Sequence, residues 1–199
     1  GIPAKLVAKQ EADDVIASAV NTFVSQGGNA IIVSGDRDLL QLVSARSAVL
    51  VPENGGAFKV MNRKSVTEKY EIPFDKYLDF AALRGDKSDN LPGVTGIGPK
   101  KAVALIETFG GAAEALEAAK TRPEAVDAAA GKNAAQKLLD DEENLVRNLR
   151  LMALNRDLDI SVAELVPNSG LAEEAINAFG LNRISGKVSQ ALGSVTHAL

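Results

Sequence analysis

The sequence predicts an α/β chain, with a parallel sheet leading into a mainly α-helical region, and three observations point to it. Asn29-Ala30-Ile31-Ile32-Val33-Ser34 is a short continuous apolar run, as expected of a strand buried on both faces of a parallel sheet. Before it, Val15, Ile16, Ala19, Val20, Phe23 and Val24 form an apolar stripe at helical spacing. From Gly111 onward the composition turns Ala-rich and helical. The boundary is placed between a sheet domain, 1–83, and a helical region, 84–199.

In chain order, Lys5 to Ala8 is expected to be a short edge segment. The first helix starts at Glu11-Ala12-Asp13-Asp14 and stops at Gly27-Gly28. Its acids sit where the helix dipole favours negative charge, so ordinary capping is one reading of them. The other is function: three acids in four residues exceed the needs of one cap, and Glu11 lies one turn above Val15, on the side expected to face the protein. Residues i and i+2 do not face each other inside a helix. Sharing a cation between Glu11 and Asp13 therefore requires Glu11 to lie in a non-helical capping turn.

The strand at 29–34 runs into Gly35-Asp36-Arg37-Asp38, at the carboxyl end where open α/β sheets bind ligands. Asp36 and Asp38, two apart in an extended turn, can point the same way. A plain Asp turn is the alternative. An EF-hand is excluded, because its sixth position needs Gly and Gln41 stands there. A short helix begins at Leu39. Ala48 to Val51 and Phe58 to Met61 then read as strands around the hairpin Glu53-Asn54-Gly55-Gly56. Arg63 to Tyr70 and Phe74 to Leu83 read as helices interrupted at Pro73.

The next stretch, Leu83 to Ala102, organises the rest. Asp86 and Asp89 stand among the turn formers Gly85, Ser88, Asn90, Pro92 and Gly93, so an ordered loop holding a metal is expected. Gly93, Gly96 and Gly98 expose backbone amides, and Pro99 suits the first turn of a helix through Ala102 and Ile106. That helix start, with Lys100 and Lys101, would accept a phosphate. An acidic loop joined to a phosphate-gripping hairpin suggests hydrolysis of a nucleic-acid backbone. Beyond it, helices are expected at Ala112 to Lys120, Pro123 to Ala130 and Ala134 to Arg150, with a small strand near Leu151 to Leu154. Two short helices after Pro167-Asn168-Ser169-Gly170 and a frayed end complete the chain.

At 199 residues and 46% hydrophobic content, a real core can form. Cys is absent, so any metal is held by oxygen, and a reducing cytosol fits. No membrane span or secretory signal is evident. The net charge of −4 weighs little against a DNA partner, since neutralising the seven acids named above would leave +3. With no Trp and 4% aromatics, contacts to the nucleic-acid backbone are favoured over base stacking. His197, the only histidine, is a tail residue, which leaves no histidine-based triad. After Gly98 comes Pro99, so Gly93 to Lys101 fails as a P-loop. Arg147, Arg150 and Arg156 read as a solvated helical face, with a DNA contact as the minority reading.

Glu11-Ala12-Asp13-Asp14, Gly35-Asp36-Arg37-Asp38-Leu39-Leu40-Gln41-Leu42 and Gly85-Asp86-Lys87-Ser88-Asp89-Asn90-Leu91-Pro92-Gly93-Val94-Thr95-Gly96-Ile97-Gly98 resemble, in order and spacing, the three acidic motifs of the structure-specific 5′ nucleases. That family includes 5′ to 3′ exonucleases, flap endonucleases and the 5′-nuclease domain of DNA polymerase I. The resemblance covers most of the chain to about Ile106 and, more weakly, the helices beyond. It implies a PIN-like sheet domain, truncated at its N-terminus, followed by a helix-hairpin-helix module that grips duplex DNA. It also implies that Glu11 and Asp13 bind a first Mg²⁺ or Mn²⁺, that Asp36 lies between two ions, and that Asp38, Asp86 and Asp89 serve the second, with Asp14 acting through water. Catalysis would centre on Asp36, Asp38 and Asp86. Gly96, Gly98, Lys100, Lys101 and Arg84 would contact DNA, and a potassium ion would sit near Gly93, Val94 and Ile97.

Further metal-binding aspartates and the basic arch of the family, upstream of these motifs, have no counterpart here. The chain, starting without Met, is accordingly expected to be a fragment of a longer nuclease. It is also expected to be monomeric and to close near Leu192 without a polymerase. The implied activity is two-metal hydrolysis of DNA near a 5′ end, flap or nick. A non-catalytic duplex-binding module and a PIN-like ribonuclease are its rivals.

Overall fold

The first helix forms where the apolar stripe predicts it, as α1 (Ala12–Ser25), and the chain leaves it through Gln26 and a left-handed Gly27 at φ 90°. In the computed structural model, residues 5–161, with 174 and 178, are described, and the chain divides into two units. One comprises Gln10–Ile160 and is taken first. In the other, Gly1–Lys9 with Ser161–Leu199, the expected edge segment Lys5 to Ala8 forms no strand. The helices expected after Pro167, the frayed end and His197 lie outside the described residues.

Three strands follow α1. β1 (Ala30–Val33) runs parallel to β2 (Ser47–Pro52), with Ala30 opposite Ser47 and Val33 opposite Leu50. β3 (Phe58–Met61) closes a hairpin antiparallel to β2, with Met61 opposite Val49. The hairpin turns at Gly55 and Gly56, whose φ values of 84° and 83° suit glycine. The sheet order is β1-β2-β3, so the sheet is mixed.

The expectation that β1 is buried on both faces does not hold. Ile32 is buried at 5% exposure, while Ile31 and Val33 remain 63% and 60% exposed. Strand side chains alternate between faces, and only the Ile32 face lies toward the core. Ile31, Val33, Val60 and Phe58 share the opposite, exposed face through the strand register.

α2 (Arg63–Tyr70) starts on a reciprocal cap in which Asn62 Oδ1 accepts from Ser65 N at 3.0 Å while Ser65 Oγ accepts from Asn62 N at 2.7 Å. A short 3-10 turn at Phe74–Lys76 leads into α3 (Tyr77–Arg84), which buries Tyr77, Phe80 and Leu83. The tiny hairpin β4 (Gly85–Asp86) and β5 (Leu91–Pro92) comes next, then α4 (Pro99–Phe109), with proline in its first turn as expected.

α5 (Ala112–Thr121) and α6 (Pro123–Ala130) match the Ala-rich segments. Small side chains at the crossings, Ala112, Ala115, Ala119, Ala130, Ala134 and Ala135, are all buried and let the helices approach closely. Leu105, Ile106, Leu138 and Leu145 fill the space between them, each worth about 1.5–3 kcal/mol of burial.

The single helix expected from Ala134 to Arg150 is two: α7 (Ala134–Asp140) and α8 (Glu142–Leu151), broken at Asp141, where φ −106° and ψ 18° leave helical geometry. The possible strand at Leu151 to Leu154 is also absent. α8 ends there and Met152 drops into the core instead.

Candidate active site and nucleic-acid interface

Glu11 precedes α1 in an extended conformation, φ −75° and ψ 153°, so it occupies the non-helical capping turn that a shared cation with Asp13 would require. Its carboxylate makes no capping bond, and it is exposed rather than directed at the protein, which corrects the inward orientation expected of it. Asp13 is half-buried on the first turn. Asp14 points elsewhere: its Oδ1 accepts the backbone N–H of Asn155 at 2.9 Å, beside the bond from Ser18 Oγ to Asn155 O at 3.1 Å. It ties α1 to the segment after α8.

At the end of β1, Asp36 folds its Oδ1 back to accept the N–H of Asp38 at 2.9 Å, which opens a 3-10 turn at Asp38–Leu42. Asp36 is exposed and Asp38 is half-buried. Asp86, in β4, is 4% exposed. Its Oδ1 accepts from both the amide and the hydroxyl of Ser88, while its Oδ2 faces Arg84 Nη2 at 3.3 Å and Arg37 Nη2 at 3.6 Å. Asp89 is exposed on the turn between β4 and β5.

The electrostatics show which of these acids meet. Burial, and then the charges of Asp36, Asp89, Asp86 and Asp13, push the Asp38 carboxyl up to about 6. Asp13 is likewise raised, by burial first and then by Asp36, Glu11, Asp14 and Asp89. Five aspartates from three separate segments therefore repel one another around Asp38. Asp86 is the exception. Burial pushes it up, but the two Ser88 bonds and the guanidinium charges of Arg37 and Arg84 outweigh that and hold it below the usual carboxylate range. Among the described residues no three carboxylates close tightly enough to hold one ion in common.

The hairpin after β5 is built by close backbone contact. Gly85 (φ 82°) and Gly93 cross so tightly that a Cβ on either would collide with the backbone of the other. Gly93 is thus a packing residue here. Three other amides of the hairpin are spent: Val94 N bonds Leu83 O at 2.9 Å, Ile97 N bonds Val94 O at 3.0 Å, and Thr95 N bonds Asp141 Oδ2 at 2.7 Å. The Thr95 bond, first among its causes, also keeps the Asp141 carboxyl below its usual range. Among the described residues the N–H groups of Gly96, Gly98 and Lys100 have no protein acceptor. Gly98, the N-cap of α4, opens onto free space.

Lys100 is exposed there and Lys101 is half-buried. Arg84 is turned inward, stacked on the Phe80 ring at 5.1 Å and paired with Asp86. Of the arginines read as a solvated helical face, Arg147 and Arg150 are exposed on α8. Arg156 is off the helix and donates to Gln41 O at 2.8 Å.

Sequence reasoning missed four residues that shape this region: Arg37, Lys137, Asp141 and Asn148. Arg37 carried a signal, as a cation between two acids. Asn148 is fully buried and donates to Pro92 O at 2.7 Å and Ala82 O at 3.3 Å, which fastens the acidic hairpin to α8.

Comparison with known proteins agrees with this architecture. Residues 1–71 match the family model "5'-3' exonuclease, N-terminal resolvase-like domain", and residues 72–169 match "5'-3' exonuclease, C-terminal SAM fold". The chain is 39% identical to DNA polymerase I of Mycobacterium tuberculosis over 152 residues, covering 76% of the chain and 16% of that protein. It is 34% identical to a 5'-3' exonuclease of Aquifex aeolicus over 164 residues, covering 82% of the chain and 52% of that protein. It thus spans about half, or much less, of the length of these relatives.

In fold it resembles the bacteriophage T5 5'-exonuclease with divalent zinc ions bound (TM-score 0.62, 23% identity, 94% of this chain and 60% of that one). It also resembles a T5 flap endonuclease in complex with DNA and metal ions (TM-score 0.58, 20% identity, 90% and 59%). With both parts of its described length accounted for by one family, the chain belongs to the 5'-3' exonuclease family.

Proposed function

We propose that the chain forms part of a nuclease that hydrolyses DNA phosphodiesters at or near 5′ ends and flaps with the help of divalent cations. The observation that carries this is that Asp38, at the end of β1, is repelled by Asp13 and Asp36 and by Asp86 and Asp89 of the loop from which the glycine hairpin continues. Every candidate donor is a carboxylate oxygen, which suits Mg²⁺ or Mn²⁺, and opposite charge would offset the burial and the repulsion that raise Asp38 and Asp13. Asp13, Asp36, Asp38 and Asp89, with Glu11 beside them, are the residues that would hold such ions. In this chemistry the ions activate water and stabilise the leaving oxygen.

The chain's own residues do the rest. Arg37 and Arg84 keep Asp86 ionised and fixed, so a carboxylate stands ready on the hairpin side of the acid cluster. Gly96, Gly98 and Lys100 offer amides, and Lys100 and Lys101 offer charge, to the phosphates of a duplex. The carbonyls of Gly93, Val94 and Ile97 are the groups that would hold a potassium ion. That the T5 relative was crystallised with DNA and metal ions supports the reading.

The test is Asp36→Asn in the full-length protein, assayed on a 5′-flap DNA with Mg²⁺ for cleavage and in EDTA for binding. Cleavage should vanish and duplex binding should stay near wild type. A variant that still cuts removes Asp36 from the chemistry. A wild type whose binding ignores divalent metal and which never cuts would favour the purely DNA-binding module.

A further inference from the structure

We propose that Lys137, on α7, is an additional cationic contact to DNA phosphate, acting at Gly96 of the hairpin. The proposal rests on the reading of that hairpin as a duplex-DNA clasp. A Cβ placed on Gly96 (φ 73°) would meet Lys137 Nζ at 2.8 Å, Cε at 3.3 Å and Cδ at 3.6 Å. The half-buried lysine therefore lies against the backbone of the hairpin, with its ammonium at Gly96, where a side chain would meet it.

A helical lysine ordinarily finds an acid three or four residues along. For Lys137 those are Asp140 and Asp141, and both are engaged elsewhere. Asp140 Oδ1 accepts from Gln136 Nε2 at 2.8 Å, while Asp141 accepts from Thr95 N at 2.7 Å and Asn144 Nδ2 at 3.1 Å. Among the described residues no carboxylate lies within 4.0 Å of Lys137 Nζ.

The break between α7 and α8 explains the placement. Asp141 leaves helical geometry and turns its carboxylate onto the Thr95 amide, which docks the hairpin against α7 and brings Gly96 under the lysine. The result is a half-buried positive charge without a counter-ion among the described residues, beside Gly96, whose N–H has no protein acceptor there. An anion at that point would offset the lysine charge and could accept from the Gly96 amide, and a backbone phosphate is the anion a duplex presents.

The experiment measures binding of a 5′-flap duplex by the 199-residue chain in EDTA across a KCl series, for wild type, Lys137→Met, Lys137→Arg and the double variant Lys100→Ala with Lys101→Ala. Methionine keeps the apolar stem and removes the charge; Lys137→Gln serves as a second neutral variant if the first unfolds. Loss of one phosphate contact should make the slope of log affinity against log salt shallower by about 0.9 in Lys137→Met, with Lys137→Arg restoring it. A merely structural role would lower affinity without moving the slope. An unchanged slope in the neutral variants, with a shallower one in the Lys100 and Lys101 double variant, overturns the Lys137 contact alone. An unchanged slope in all of them, or no binding by wild type, removes the clasp itself.

Discussion

Asp38 and Asp86 stand in the same acid cluster and titrate in opposite directions, which gives the protein two opposed responses to pH. Because the Asp38 pKa is raised to about 6 from an unfolded value near 3.8, the folded state holds its proton more tightly, and stability attributable to it falls as pH rises between those values. Asp86 works the other way. Its folded pKa is lowered, so its contribution is present above the unfolded value and is lost as acid carries the pH down through the folded one. Asp38→Asn should therefore raise the thermal midpoint in EDTA at pH 7 and flatten its fall between about pH 4 and pH 6. Melting curves across that range check this, and a variant no more stable than wild type at pH 7 would show that neither burial nor neighbouring charge penalises the Asp38 carboxylate.

At the scale of elements, α8 is the strut of the site. Asp141 at its start holds Thr95, and Asn148, two turns on, holds Pro92, so one helix face fixes both ends of the stretch that carries the acid loop and the glycines. Truncating Asn148 leaves the buried carbonyl of Ala82 and the part-buried carbonyl of Pro92 without this donor. Asn148→Ala should then cost about 1–3 kcal/mol, seen as an earlier urea midpoint with a wild-type slope. A change within error would mean that the bonds are replaced by water.

The same elements show what sequence can and cannot say. The first helix, the β2–β3 hairpin, the Pro99 start of α4 and the Ala-rich helices were legible because each rests on local chemistry, periodicity or turn residues. The break at Asp141 was not. The helical pattern runs on through Asp140 and Asp141, and nothing local marks the turn at Asp141, whose carboxylate accepts a hydrogen bond from a residue 46 positions away in sequence.

Over the whole molecule, three short acidic segments separated by strands and helices come near enough for their charges to act on Asp13 and Asp38, and that nearness was expected from the family resemblance that their order and flanking residues carry. The arginines that single out Asp86 were not readable. Arg37 and Arg84 lie far apart in the chain and meet only through the packing of α3 against the turn after β1. The exposed face of β1 escaped notice for a similar reason, since an apolar run does not reveal how many layers will cover it.

The repulsion also has a global thermodynamic consequence. Mg²⁺ at about 100 times its dissociation constant should stabilise the fold by about 2.7 kcal/mol, and the double variant Asp36→Asn with Asp38→Asn should lose most of that gain. Midpoints in Mg²⁺, compared with KCl at matched ionic strength, measure it. Equal midpoints in the two salts would mean that the acids do not act as a cation site.

The bond between Thr95 and Asp141 carries one more implication. An amide on a solvent-facing turn would ordinarily swap its proton for deuterium within moments, yet this one is shielded by an acceptor that can itself be neutralised by acid. Its neighbours Val94 and Ile97 are shielded by peptide carbonyls that cannot. The turn thus contains a built-in isotopic gauge, in which the lag of Thr95 relative to those two reports whether the strut is seated.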